Sequence, residues 1–172
     1  MIEIDESVEP KRWDAVAREA IASLTAESVK SRLLESGEWT SLRVRPFNKV
    51  ADPSTEPAGI FVTAMDTRPH AVNPDWVIAE NAYTFVAGQE ILAALSDGPV
   101  HVCMAAGSEV PVAGHQRVQA AEFAGPHPAG LAGTHIHFLQ GASLTKLAWT
   151  IDYQDVIAIG NLFLKGEIDS AR

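Results

Sequence analysis

Apolar positions along the chain alternate between two periods, and the switches between them mark the elements. Trp13, Val16, Ala17, Ala20, Ile21 and Leu24 recur at spacings of three and four, which predicts an amphipathic helix, or part of one, over Trp13 to Leu24. Thr25 is a helix-capping residue, Val29, Leu33 and Leu34 share one side, and Gly37 suits a left-handed terminus, so a second helix is expected from Ala26 to Ser36. Leu42 to Arg45 alternates apolar with basic and runs into Pro46, as a short edge strand does. The continuous apolar runs Ile60–Met65 and Val100–Ala105 read as strands covered on both faces. Between them Asn73 caps a helix that starts at Pro74 and runs to Ser96 with a break near Asn81, giving a β-α-β unit.

The second half repeats the alternation. Val118–Phe123 and Lys146–Ile151 read as strands, and between them a Gly/Pro loop enters a short helix whose apolar face is Leu131, His135, Phe138 and Leu139. Asp152 then caps a helix from Tyr153 to Lys165, stopped by Gly166. Strands and helices in strict succession predict an α/β three-layer domain with a mostly parallel sheet, preceded by N-terminal helices. Residues 1–12 are acidic, aperiodic and contain Pro10, so they read as a disordered, frayed or non-native start, and residues 13–172 as a single α/β domain.

Composition removes several functions. At 172 residues with an apolar fraction of 47%, one sizeable core is expected. A formal charge of -9, with 13 scattered basic residues, is wrong for a nucleic-acid surface and unfavourable for an anionic membrane. No apolar run is long enough to span a bilayer, and the acidic N-terminus is unlike a signal sequence, so the chain reads as soluble and not exported by itself. Cys103 is the single cysteine, set in an apolar run, and reads as a buried thiol.

Candidate chemistry concentrates between Gly125 and Leu139, which holds His127, His135 and His137. A phosphate cradle is one reading, but Gly125, Gly130 and Gly133 have the wrong spacing, and Pro126 and Pro128 remove amide donors. A metal site is another, with Asp66 as a further ligand of a His-dependent hydrolase. On a helix, however, His135 and His137 project about 200° apart. The third reading is structural: histidines bonded to nearby backbone, and glycines that let the helix pack close. Two other stretches draw notice. Asp66-Thr67-Arg68-Pro69-His70 follows a parallel strand at its carboxyl end, where open α/β sheets place ligands. Arg43, Arg45 and Lys49 form a basic cluster in an acidic chain, fit for an anion, a partner or a solvated edge.

Four segments taken together resemble a known family. They are Ser36 through Val50 (SGEWTSLRVRPFNKV), Ile60 through Thr67 (IFVTAMDT), Gly125 through Leu139 (GPHPAGLAGTHIHFL) and Tyr153 through Ala158 (YQDVIA). The resemblance is to the A subunit of the bacterial sodium-translocating NADH:quinone oxidoreductase. It implies a Rossmann-like α/β fold, a chain that is one piece of a longer polypeptide, and a peripheral place on the cytoplasmic side of the bacterial inner membrane. It further implies the other subunits and the missing flanking domains as partners, ubiquinone as a ligand of the full subunit, and an NADH:ubiquinone reductase activity that belongs to the complex and not to the isolated domain. That family is similar in turn to the flavin-binding subunit of respiratory complex I, where a glycine-rich loop occupies the place of Ser36 to Val50. From Glu38 to Val50 this chain has no glycine, so no flavin is expected here. The matched motifs carry no assigned catalytic roles and His135 and His137 diverge on a helix, so no catalytic residue and no metal ligand is expected either. A flavin- or nucleotide-binding domain is the alternative. Trp39, Leu42 and Phe47 are expected to fill the space by burial against the sheet, with Arg43 and Arg45 reaching carboxylates of this or a neighbouring domain.

Overall fold

The computed structural model describes residues 11–169. Six strands form one sheet in the order β2-β1-β6-β3-β4-β5, where β1 is Arg43–Arg45, β2 Lys49–Val50, β3 Gly59–Ala64, β4 Val100–Ala105, β5 Val118–Phe123 and β6 Ala148–Asp152. Strands β6, β3, β4 and β5 are parallel; β1 runs antiparallel to β6 and to β2. The helices are α1 (Ala26–Ser36), α2 (Pro74–Glu80), α3 (Ala82–Leu95), α4 (Ala132–Leu139) and α5 (Tyr153–Lys165). The result is the expected Rossmann-like α/β fold.

Local chemistry explains most boundaries. Thr25 and Ser28 cap each other's backbone amides at the start of α1, and Gly37 ends it at φ 87°. Asn73 accepts from the Asp75 amide before Pro74, and Asn81 separates α2 from α3. Asp152 accepts from the Gln154 amide at 3.1 Å, and Gly166 closes α5 at φ 72°.

Alternation along the strands divides the core in two. Ile60, Val62, Trp149 and Ile151 point to the side of α1, α3 and α5 and join the main core. Phe61, Cys103 and Ala148 point to the other side and pack on Ile136 of α4. The helix pair α3–α5 is unusually close: a Cβ on Gly88 would lie 2.2 Å from the Val156 carbonyl oxygen. Cys103 is buried, and burial pushes its thiol pKa up to about 12.

Four expectations fail. Residues 13–24 do not form an α-helix; only a 3-10 turn, Arg18–Ser23, is helical. The amides of Trp13 and Val16 instead bond to the carbonyls of Gly166 and Phe163, so their side chains reach the core from an extended segment docked on the end of α5. Strand β1 is not an edge; the two-residue β2 covers it. Helix α4 buries His135 and Ile136, while Leu131, Phe138 and Leu139 face outward. Phe47 is 51% exposed, because it lies in the turn between β1 and β2 and not on a strand. The expectation for residues 1–10 lies outside the described residues. No helix among the described residues is long and apolar enough to cross a membrane.

Candidate functional site

Strands β3, β4 and β5 succeed one another in one direction across the sheet, and the chain then returns to place β6 on the opposite side of β3. The carboxyl ends of β3 and β6 therefore form a topological switch point, the place where open α/β sheets leave a crevice. The loop foreseen in the sequence, Asp66 to His70, stands at this point.

That loop is tied from both sides. Asp66 accepts from the Arg68 amide at 2.8 Å and from its guanidinium, with Nε 3.0 and 2.9 Å from the two carboxylate oxygens. This ion pair holds the Asp66 carboxyl below its ordinary range and raises the Arg68 guanidinium. Thr67 Oγ1 accepts from the Gly130 amide at 3.0 Å and lies 3.1 Å from His127 Nδ1. A Cβ on Gly130 would lie 2.8 Å from the Thr67 amide nitrogen, so glycine is what allows the 125–130 loop to lie on the switch-point loop.

The three histidines are engaged separately. His127 meets Thr67. The His135 ring is fully buried, lies 4.4 Å from Phe123, and its Nε2 donates to the Ala129 carbonyl at 2.9 Å. Burial lowers its pKa, against the opposing pull of the Ala129 hydrogen bond. His137 is exposed beside Phe138, with centroids 5.2 Å apart. Only His135 of the three is bonded to backbone, and the close approach belongs to Gly130 in the loop, not to Gly133 in the helix.

Beside the switch point opens a cleft of about 560 Å³. Its floor is a row of polar side chains that alternation brings to the α4 side of the sheet: Thr63, Thr150 and Asp152. One wall carries Arg43, Arg45 and Asn48; Glu38 and Asp155 also line it. Arg45 Nε is buried without a hydrogen-bond partner. Desolvation raises the Asp152 carboxyl above its usual range, and Tyr153 beside it is raised by burial and then by the Asp152 and Asp66 charges. The floor residues escaped sequence reasoning; the signal was there in threonines at 63 and 150, breaking otherwise apolar strands.

Trp39 locks the wall. Its Nε1 donates to the Ala51 carbonyl at 2.7 Å, and its ring meets Trp149 edge-on at 5.5 Å. Leu42 is buried as expected. A phosphate cradle needs open backbone amides here; this segment spends them on a 3-10 turn, Glu38–Ser41, and a strand. The arrangement presents opposed charges on a polar floor, suited to complementary side chains of a partner.

Known proteins resemble the chain over most of its length. A family model described as "NqrA second alpha/beta domain" matches residues 24–168. The A subunit of the Na(+)-translocating NADH-quinone reductase of Shewanella amazonensis is 49% identical over 171 residues, 99% of this chain and 37% of that protein. Its counterpart in Serratia proteamaculans is 54% identical over 152 residues, 88% of this chain and 34% of its own. That of Neisseria gonorrhoeae is 46% identical over 171 residues, 99% of this chain and 38% of its own. The chain thus spans just over a third of the length of these relatives.

Proposed function

The chain belongs to the NqrA second alpha/beta domain family, and from that premise we propose that it is a docking domain of the NqrA subunit in a sodium-translocating NADH-quinone reductase. In this reading it holds neighbouring parts of the complex through the charged cleft and carries no redox group. The observation behind it is the cleft itself: a switch-point crevice whose wall is a tryptophan-locked segment without glycine from Glu38 to Val50, lined by arginines and carboxylates. Such a lining suits a partner's polar side chains better than an apolar ring. A quinone, ubiquinone by the family resemblance, is accordingly met by the full subunit outside this cleft. The domain sits on the cytoplasmic side, where NADH is available, with the other subunits and the rest of its own chain as partners.

The test is Arg43→Glu with Arg45→Glu in the full subunit, read by co-purification of the other subunits and by NADH-quinone reductase activity. Arg43 is exposed and Arg45, despite its buried Nε, is partly exposed, so the pair leaves the domain folded at a cost of about 1 kcal/mol and weakens assembly and turnover. Unchanged assembly and turnover overturn the docking reading. Unfolding of the domain makes the arginines structural instead.

A further inference from the structure

Among the described residues, helix α4 stands out as an element whose surroundings do not match its sequence. From Ala124 to Thr145 the chain contains no Asp, Glu, Lys or Arg. A helix that is uncharged and largely apolar all round belongs in an interior, yet α4 buries only one side. His135 and Ile136 face the sheet, while Phe138 is 73% exposed and, in the loop that follows, Leu144 is 74% exposed. Leu131 and Leu139, at its two ends, are exposed as well.

Along one flank of the helix runs a groove of about 370 Å³ between α4 and the end of β1, formed by Gly133, Ile136 and His137 on one side and Arg45 and Pro46 on the other. Gly133 and His137, four residues apart, share that flank. A Cβ on Gly133 would meet nothing within 4 Å, so the flank is open. Arg45 lines both this groove and the charged cleft, which makes the two one continuous surface.

We infer that this surface, the outer face of α4 with its flanking groove, is a permanent interface, and that its occupant is another part of the same NqrA polypeptide. Charge depletion with exposed aromatic and aliphatic anchors is the composition of an interface core, and obligate interfaces are the apolar ones. The relatives, which this chain covers over only 37% and 34% of their lengths, supply the occupant: the rest of a chain tethered to the domain, present at a high effective concentration. The overall charge of -9 opposes an anionic lipid surface as the alternative.

This rests on the reading of the chain as a domain of NqrA, but its test needs no complex. In the full subunit, purified alone, Phe138→Cys and Leu144→Cys are labelled with a maleimide under native conditions and again in urea. The native background is low, because Cys103 is buried and its thiol is protonated; the unsubstituted subunit corrects for any other cysteine. The expected result is labelling at least about tenfold slower in the native subunit than in urea, since it must await local opening, and unchanged by dilution or by the other subunits. Fast labelling of the lone subunit overturns the inference, whether or not the assembled complex then protects the site. Protection lost on dilution also overturns it, because the occupant is then a second copy. Leu131→Cys and Leu139→Cys, at exposed positions on the two ends of α4, give the same decision by the same labelling should Phe138→Cys or Leu144→Cys perturb folding. Failure of the docking reading appears elsewhere, as assembly indifferent to Arg43 and Arg45.

Discussion

Gly160 of α5 lies so close to Thr84 of α3 that a Cβ on it would stand 2.0 Å from the Thr84 carbonyl oxygen. The obstacle is backbone, which cannot rotate away, so Gly160→Ala must push the two helices apart and loosen the core they share with β3. We expect a loss of at least about 1–3 kcal/mol, the range for overpacking, despite alanine's better helix propensity. Urea denaturation with near-UV circular dichroism checks it; unaltered stability would contradict the packing described.

Trp39→Phe keeps an aromatic ring against Trp149 but removes the indole donor from Ala51. The Ala51 residue is buried, so its carbonyl loses this partner without water to replace it. The expected cost is about 1–3 kcal/mol, measured as a shift of the urea midpoint with the slope of the transition unchanged.

Asp66 and Asp152 should give stability-pH profiles of opposite sign. The Asp66 carboxyl is lowered by its hydrogen bonds to Arg68, so its contribution is present above the unfolded value, about 3.9, and is lost as pH falls through the folded one. Asp66→Asn therefore destabilises at neutral pH, and the deficit closes in acid. The Asp152 carboxyl is raised by desolvation, so its share of stability is full below the unfolded value and is lost as pH rises through the folded one. Asp152→Asn retains an oxygen for the Gln154 amide and gains on the unsubstituted protein as pH rises. Denaturation midpoints from acid to neutral pH, with both variants in parallel, decide the signs.

Flavin and nicotinamide probe the cleft directly. A ligand bound to the folded state at a hundred times its Kd adds about 2.7 kcal/mol, which a thermal melt reports as a shift of several degrees. In millimolar FMN or NADH we expect no shift in Tm and no retained yellow colour after gel filtration. A shift removed by Arg43→Glu would instead assign the cleft to a nucleotide.

The sequence was most legible where one local rule decides an outcome. Thr25 and Gly37 bound α1, Asn73 and Pro74 start α2, Asp152 and Gly166 bound α5, and the apolar runs at 60 and 100 are the two parallel strands they promise. It was least legible where apolar residues outnumber the places to bury them. In α4 every face is apolar enough to be the inner one: His135, which Ala129 and Phe123 meet, is buried as foreseen, but Ile136 joins it while Phe138 and Leu139 face out. Trp13 and Val16 have helical spacing but take their bonds from α5, a partner far along the chain. The Asp66 loop was foreseen because topology alone puts it at a strand end; Thr63, Thr150 and Asp152 were not, because only strand register brings them together.

Asp152 is at once the last residue of β6 and the cap of α5, with no intervening loop. A connection of zero length has no slack. Whatever seats on the cleft floor at Asp152 therefore pushes directly on a helix that is itself keyed, glycine to backbone, into α3.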